Sequence, residues 1–213
     1  MEKAIRFLAQ VNPQTSDQLF QAIDNLLRQG TTKIRLLLST PGGSVFHGLS
    51  IHNYLKGLPI EVHTYNFGSV DSIGVVIFSA GSRRFTVPHS RFLIHSVKFN
   101  INGQASLDEK QLEEYLKSLQ IDQKNIAKVI ADTTGKSVEA IDNAMNNRTT
   151  LSPQEAVEYG LVHEIKNDLL LPKMEVITIG EPIQGQPYQQ TQFVVPTTQA
   201  VSKPSIDSFT NES

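Results

Sequence analysis

Three short segments carry residue types that could perform acyl transfer. In Thr40-Pro41-Gly42-Gly43-Ser44-Val45, two glycines follow an apolar run. Glycine permits a sharp turn and leaves backbone N–H groups bare, as an oxyanion site requires. In Gly68-Ser69-Val70-Asp71-Ser72-Ile73-Gly74, a serine stands where a strand-like run passes into a helix-like apolar run. Ser72 is better placed than Ser69 because it opens that run, where free N–H groups and the helix dipole favour negative charge. In Arg91-Phe92-Leu93-Ile94-His95-Ser96, a histidine closes an apolar strand and is a candidate general base. Each segment taken singly also has a structural reading: a Pro-Gly-Gly turn, a helix N-cap at Ser72, and a hydrogen-bonded histidine. The remaining histidines, His47, His52, His63, His89 and His163, have no glycine-rich partner segment and no His-Glu-x-x-His spacing. No metal site and no cofactor is expected.

The elements that must position these groups follow from apolar periodicity. Ile5 to Val11 reads as a strand. Thr15 to Gln29 places Leu19, Phe20, Ile23, Leu26 and Leu27 on one helical face, with Gly30 as the stop. Ile34 to Leu38 is almost wholly apolar, which suits a strand in a sheet covered on both faces. A helical segment around Phe46 to Leu55 precedes a strand from Ile60 to Tyr65 and a small buried helix from Ser72 to Phe78. Arg84 to Val87 and Arg91 to Ile94 read as strands separated by Pro88, and Leu107 to Asp132 as a long polar amphipathic helix. Ser152-Pro153-Gln154-Glu155 is a capping box with proline at the first helical position, Gly160 ends that helix, and Leu161 to Ile165 closes as a strand. Strand and helix alternate, so the class is α/β with right-handed crossovers.

Composition narrows the function classes. The chain has 213 residues, with 19 basic and 21 acidic side chains and a formal net charge of −2. No basic excess is available to neutralise phosphates, so no nucleic-acid partner is expected. The absence of cysteine excludes disulfides, thiol nucleophiles and cysteine-based zinc sites. No apolar run approaches the roughly 20 residues needed to span a bilayer, and the N-terminal stretch lacks a signal-peptide pattern. The expectation is a cytoplasmic protein with no membrane association. Composition changes near residue 172: residues 1–171 read as one domain, and 172–213 as a Gln/Pro/Thr-rich flexible tail in which Met174 to Ile179 is a short β-like piece.

Glycine turn, strand-to-helix serine and strand-end histidine, in this order, resemble the ClpP family of self-compartmentalising serine peptidases. The resemblance runs almost without gaps from about Ile5 to Ile165. Thr40 to Val45 is similar to the family's Ser-Pro-Gly-Gly segment, Asp71-Ser72-Ile73-Gly74 to its Ala-Ser-Met-Gly nucleophile motif, and Arg91 to His95 to its Arg-x-Met-Ile-His block. Gly103-Gln104-Ala105, Thr134-Gly135-Lys136-Ser137 and the stretch from Leu151 to Val162 match further landmarks. The resemblance implies that Ser72 is the nucleophile, His95 the general base, and the N–H groups of Gly43 and Ile73 the oxyanion hole. It implies a crotonase-like fold of repeated ββα units with a protruding handle helix, here 107–132. It also implies stacked heptameric rings meeting through that helix, a chamber for peptide or protein substrates, and a partner ATPase.

The sequence departs from the family at defined points. Gap-free counting puts Arg148 where the family has its third triad member, an aspartate. Arginine has no lone pair for imidazole Nδ1–H. Asn147, one residue away, is the possible third member, with Asn146 and Asp142 further off. Asp71 replaces an alanine beside the nucleophile, and its charge opposes a developing oxyanion unless it is paired or points away. Val97-Lys98-Phe99-Asn100 replaces a Pro-Leu-Gly-Gly stretch lining the family's cleft, so Phe99 is expected to narrow it. The family's axial loop ahead of the first strand has no counterpart in this chain, which weakens the expectation of an ATPase partner. Two readings stand: a serine endopeptidase, or a catalytically weak or inactive subunit acting in assembly or regulation. A Ser-Lys peptidase would need Lys98 as its base, and a crotonase-type acyl-CoA enzyme would leave the pairing of Ser72 with His95 unexplained.

Overall fold

The computed structural model describes residues 1–98, 107–180 and 191–197. Strand β1 (Glu2–Leu8) is followed by helix α1 (Pro13–Arg28), strand β2 (Lys33–Thr40) and helix α2 (Val45–Gly57). Strand β3 (Glu61–Asp71) leads into helix α3 (Ile73–Ser79), then strands β4 (Arg83–Thr86) and β5 (Arg91–Ile94). Helix α4 (Glu109–Thr134), helix α5 (Val138–Asn146), strand β6 (Thr149–Leu151), helix α6 (Pro153–Glu158) and strand β7 (Glu164–Ile165) come next. Strands β8 (Glu175–Gly180) and β9 (Thr191–Val194) follow. The class is α/β, as the alternation of patterns indicates.

Among the described residues the strands form one sheet ordered β6-β5-β3-β2-β1-β8-β9, with β4 beside β3 and β7 beside β4. The central strands β1, β2, β3 and β8 are parallel. Helix α1 starts where Asn12 and Thr15 form a reciprocal cap with Pro13 at the first turn, and it buries Leu19, Ala22, Ile23 and Leu26 against the sheet. Burial of each large aliphatic side chain there contributes about 1.5–3 kcal/mol. Strand β2 is buried on both faces, as its apolar run implies. Leu36 and Leu38 join the main core under the helices, while Leu37 joins a second cluster with Ala4, Tyr65, Phe85, Met174 and Val176.

That second cluster revises the expected boundary at residue 172. Met174 and Val176 help cover the face opposite the helices, with Leu169, Leu170 and Val195 packed against them. Strand β8 pairs in parallel with β1, from Ala4 opposite Val176 to Leu8 opposite Gly180, and β9 pairs antiparallel with β8. The apolar residues after 172 are those of the β-like piece, and Met174, Val176, Ile177 and Ile179 are all buried; the low apolar content that reads as a tail belongs to the residues beyond it. Residues 181–190 and 198–213, the rest of the expected tail, lie outside the described residues.

Two further differences bear on the site. The strand expected to end at Tyr65 runs on to Asp71. Its pairing with β2 shifts between Leu38 opposite Asn66 and Thr40 opposite Val70, so β3 carries two extra residues there. Bulges of this kind bend a strand and re-aim the residues beyond the bend. The sequence assigns no element to residues 66–71, because that extra length has no periodic signature. Helix α5 and strand β6 are likewise absent from the periodic reading, although Ser137 caps α5 and Ile141 and Met145 are its buried stripe. Helix α4 projects: residues 109–118 are all exposed, and only Ile126, Ala127, Ile130 and Ala131 are buried. Among the described residues no helix is long and apolar enough to cross a membrane.

Candidate active site

Ser72 sits at the junction of β3 and α3 with φ 58° and ψ −127°. Positive φ is unfavourable for a residue with a Cβ and costs on the order of 1–3 kcal/mol. The strain is held by its own amide, which donates to the Leu93 carbonyl of β5 at 2.7 Å, and by the wholly buried helix α3 that follows. The Ser72 side chain makes no capping hydrogen bond and is half-buried. The N-cap reading of this serine therefore fails in its usual sense, since the hydroxyl does not serve the helix N–H groups.

The diglycine turn packs directly on this serine. Gly42 has φ 91°, and a Cβ there would stand 2.7 Å from Ser72 Cβ and 2.9 Å from the Asp71 carbonyl oxygen. Gly43 has φ 141°, and a Cβ would overlap the Val11 carbonyl oxygen. Val11 pairs with Gly43 as a parallel bridge: Val11 N–H donates to the Gly42 carbonyl at 2.7 Å, and Ser44 N–H to the Val11 carbonyl at 2.8 Å. In a parallel bridge the flanking residues make the bonds, so the N–H of Gly43 itself points away from Val11. Among the described residues neither the Gly43 nor the Ile73 N–H has a hydrogen-bond partner. Two bare N–H groups thus flank the serine.

His95 follows β5 directly, and β5 pairs in parallel with the end of β3, Asp71 opposite Leu93. Serine and histidine are therefore carried just past the ends of adjacent strands. His95 Nδ1 lies 2.7 Å from the Ser96 carbonyl oxygen. A carbonyl only accepts, so Nδ1 bears the hydrogen and Nε2 of the neutral ring keeps its lone pair. On its other side β5 pairs antiparallel with β6, Ile94 opposite Thr149, and the next step of that register sets Arg148 across from His95. Arg148 is exposed, takes φ 54°, and its side chain has no ion pair or hydrogen bond among the described residues.

The structure does not bring Asn147 to His95. Asn147 is exposed; its backbone N–H caps α5 on the Asn143 carbonyl at 3.0 Å, and Nδ1 of the histidine is already committed to Ser96. Asn146 instead accepts from the Ser96 hydroxyl at 2.7 Å, and Asp142 accepts from Gln123 at 2.8 Å. Among the described residues, the hydrogen-bond partner of the His95 ring is a neutral backbone carbonyl. No side-chain pattern could have revealed it.

Asp71 is paired. Its Oδ2 accepts from Arg91 at 2.9 Å and its Oδ1 from the Ser69 hydroxyl at 2.8 Å, with the Asp71 side chain 11% and the Arg91 side chain 50% exposed. Both carboxylate oxygens are thus hydrogen-bonded and the charge is paired with Arg91, which offsets much of the opposition expected of it. The pair forms one wall of a cavity of about 380 Å³ lined also by Leu8, Thr40 and Pro41. Lys98, the base that a Ser-Lys reading requires, is exposed and has no ion pair or hydrogen bond among the described residues. No group of side chains that could hold a metal ion occurs among the described residues. Phe99 and Gly103-Gln104-Ala105 lie outside them.

Comparison with known proteins gives a consistent picture. A family model described as Clp protease matches residues 1–168. The chain is 30% identical over 167 residues to ATP-dependent Clp protease proteolytic subunit 1 of Corynebacterium jeikeium, covering 77% of this chain and 87% of that protein. It is 30% identical over 183 residues to proteolytic subunit 2 of Mycolicibacterium paratuberculosis, covering 84% and 87% of the two chains. Among solved structures, a ClpP1 mutant from Listeria monocytogenes superposes with a TM-score of 0.69 at 25% identity, covering 78% of this chain and 92% of that one.

Proposed function

The chain belongs to the Clp protease family, and from that premise we propose that it is a serine endopeptidase subunit that cleaves peptide bonds through an acyl-enzyme on Ser72. Its α/β fold is the crotonase-like fold of ClpP. The observation that carries the reading is Ser72 itself, held at φ 58° with its hydroxyl released from capping and pressed against Gly42. His95 Nε2 takes the hydroxyl proton as Oγ attacks the scissile carbonyl. The Gly43 and Ile73 N–H groups receive the oxyanion, each worth on the order of 3 kcal/mol of transition-state stabilisation. His95 then delivers the proton to the leaving amine, and water releases the acyl group by the same steps in reverse.

The Ser96 carbonyl fixes the histidine tautomer without a carboxylate's charge. A neutral carbonyl keeps the tautomer but does not stabilise the developing imidazolium as a triad carboxylate does, so this subunit is a slow peptidase. Arg148 in register with His95 favours a second reading, a subunit that serves assembly and is catalytically silent. Hydrolysis of a panel of fluorogenic peptides by wild type and by Ser72→Ala decides between them. Turnover lost only in the variant supports the peptidase; equal background in both supports the silent subunit.

Assembly follows the same premise. The projecting part of α4 exposes Leu112 and Leu116, 51% and 58% accessible, four residues apart on one face. A leucine pair on an outstretched helix is the apolar seam by which a second ring would be met. Peptide or protein substrates, heptameric rings and a Clp-type ATPase are the partners this reading brings with it, and a cytoplasmic site of action agrees with it.

A further inference from the structure

Strand β5, which presents His95, is paired with the end of β3 over only three residues, Ser69 to Asp71 against Arg91 to Leu93. So short a ladder leaves the relative placement of serine and histidine to whatever else joins the two strands. Three bonds do so. Asn66 Nδ2 donates to the Arg91 carbonyl at 2.9 Å, Ser72 N–H to the Leu93 carbonyl at 2.7 Å, and the Arg91 guanidinium to Asp71 at 2.9 Å. Ser69 steadies the carboxylate from its own strand at 2.8 Å. The last cross-strand bond is the only one of the three made by two side chains, and it lies one residue before Ser72 and four before His95.

We propose that Asp71 and Arg91 are positioning residues, a cross-strand clamp that holds Ser72 in its left-handed conformation and in register with His95. The inference rests on the peptidase reading for its catalytic consequence, but not for its structural one. Arg91 sits opposite Ser69, and Asp71 is the diagonal neighbour on the same face, the geometry in which cross-strand side chains interact. Release of the clamp lets β5 slide against β3, lengthens the Ser72 amide bond to Leu93, and moves the imidazole relative to the hydroxyl. Displacements near 1 Å cost about 10²-fold in rate. The cavity of about 380 Å³ beside Asp71 and Arg91 is large enough to admit a small planar cation in place of the arginine head.

The test is chemical rescue. Arg91→Ala is expected to slow labelling of Ser72 by a serine-reactive phosphonate about 10²-fold and to raise hydrogen exchange at the Ser72 amide. Guanidinium ion at non-denaturing millimolar concentration restores both, and methylammonium restores them less, because it lacks the planar fork. Asp71→Ala shows the same losses with no rescue, and Arg91→Lys retains intermediate values. Should Arg91→Ala not accumulate as folded protein, Arg91→Gln is read in the same way. Wild-type rates and exchange in the Arg91 variant, or losses that guanidinium leaves unchanged, overturn the clamp. If wild type takes no label at all, the peptidase reading has failed, and the exchange arm still decides the clamp.

Discussion

Gly42 and Ser72 are in such close contact that one extra methyl group on the glycine would lie 2.7 Å from the serine Cβ. The turn and the nucleophile therefore cannot be moved independently. Gly42→Ala adds that methyl at φ 91°, where a side chain is also strained. Turnover is expected to fall at least about 10²-fold, since both the oxyanion N–H and the hydroxyl shift. Gly42 is buried, but the turn contributes no side chain to either hydrophobic cluster, so the circular dichroism spectrum is expected to stay native. Peptide hydrolysis alongside far-ultraviolet spectra checks this.

A carboxylate opposite His95 is the missing charge. Arg148 stands at the next step of the β5–β6 register, at φ 54°, and aspartate tolerates that region better than most residues. Arg148→Asp removes a positive charge from the neighbourhood of the developing imidazolium and supplies an acceptor for it. Turnover is expected to rise at least about tenfold, with the roughly 10⁴-fold worth of a triad aspartate as the ceiling. Steady-state kcat on one fluorogenic peptide measures it. An unchanged or lower kcat removes this position from the histidine's environment.

Stability is expected to fall on mild acidification. His52, His63 and His163 all have pKa values below the ordinary 6.5, burial being the first cause in each. His52 Nδ1 also donates to the Val76 carbonyl, and His163 Nδ1 accepts the Arg84 amide, a bond that protonation there would destroy. The unfolded chain binds more protons than the folded one below pH 6.5, so this contribution is complete above that pH and is lost as pH falls beneath it. Thermal unfolding midpoints are expected to drop between pH 7 and pH 5. His52→Asn, which can keep the bond to Val76 but cannot charge, flattens the dependence.

Assembly through α4 is tested by charge. Leu112→Glu with Leu116→Glu places two carboxylates on the exposed face of the projecting helix, well before the buried stretch that begins at Ile126. The monomer's melting curve is expected to be unchanged, while sedimentation velocity shows the largest species reduced to half its mass or less. An unaltered sedimentation profile excludes this face as the contact between rings.

How much of this is legible in the residues depends on which force fixes each part. Periodic burial fixes α1, β2 and α3, and the apolar pattern places them within a few residues. Local chemistry fixes the cap at Ser152 and the diglycine turn, whereas the caps at Asn12 and Asp108 emerge only in the structure. The expectation that Arg148 stands at the third triad position comes from gap-free counting between Thr134-Gly135 and Leu151-Ser152 in the family resemblance; Arg148 is the next residue beyond the Ile94–Thr149 pair of the β5–β6 register. The unreadable parts depend on backbone groups or on long-range pairing. The Ser96 carbonyl on His95 has no side-chain signature, and the two extra residues in β3 answer to its change of neighbours from β4 to β5. Asp71 reads as a liability because its partner, Arg91, is 20 residues away. Of the strands beyond residue 172, β8 is readable as the β-like piece Met174 to Ile179, whereas β9, with all four residues exposed, has no apolar signature.

The proposed function makes Ser72 a nucleophile activated by His95. Incubation of the folded protein with a biotinylated diphenyl phosphonate, then intact mass measurement and peptide mapping, tests it most directly. The expected result is one phosphonyl adduct per chain, mapped to Ser72, abolished in Ser72→Ala and slowed in His95→Ala. Folded wild-type protein without an adduct at any pH from about 6 to about 9, a span on both sides of the ordinary histidine pKa, would contradict it. So would an adduct that persists in Ser72→Ala.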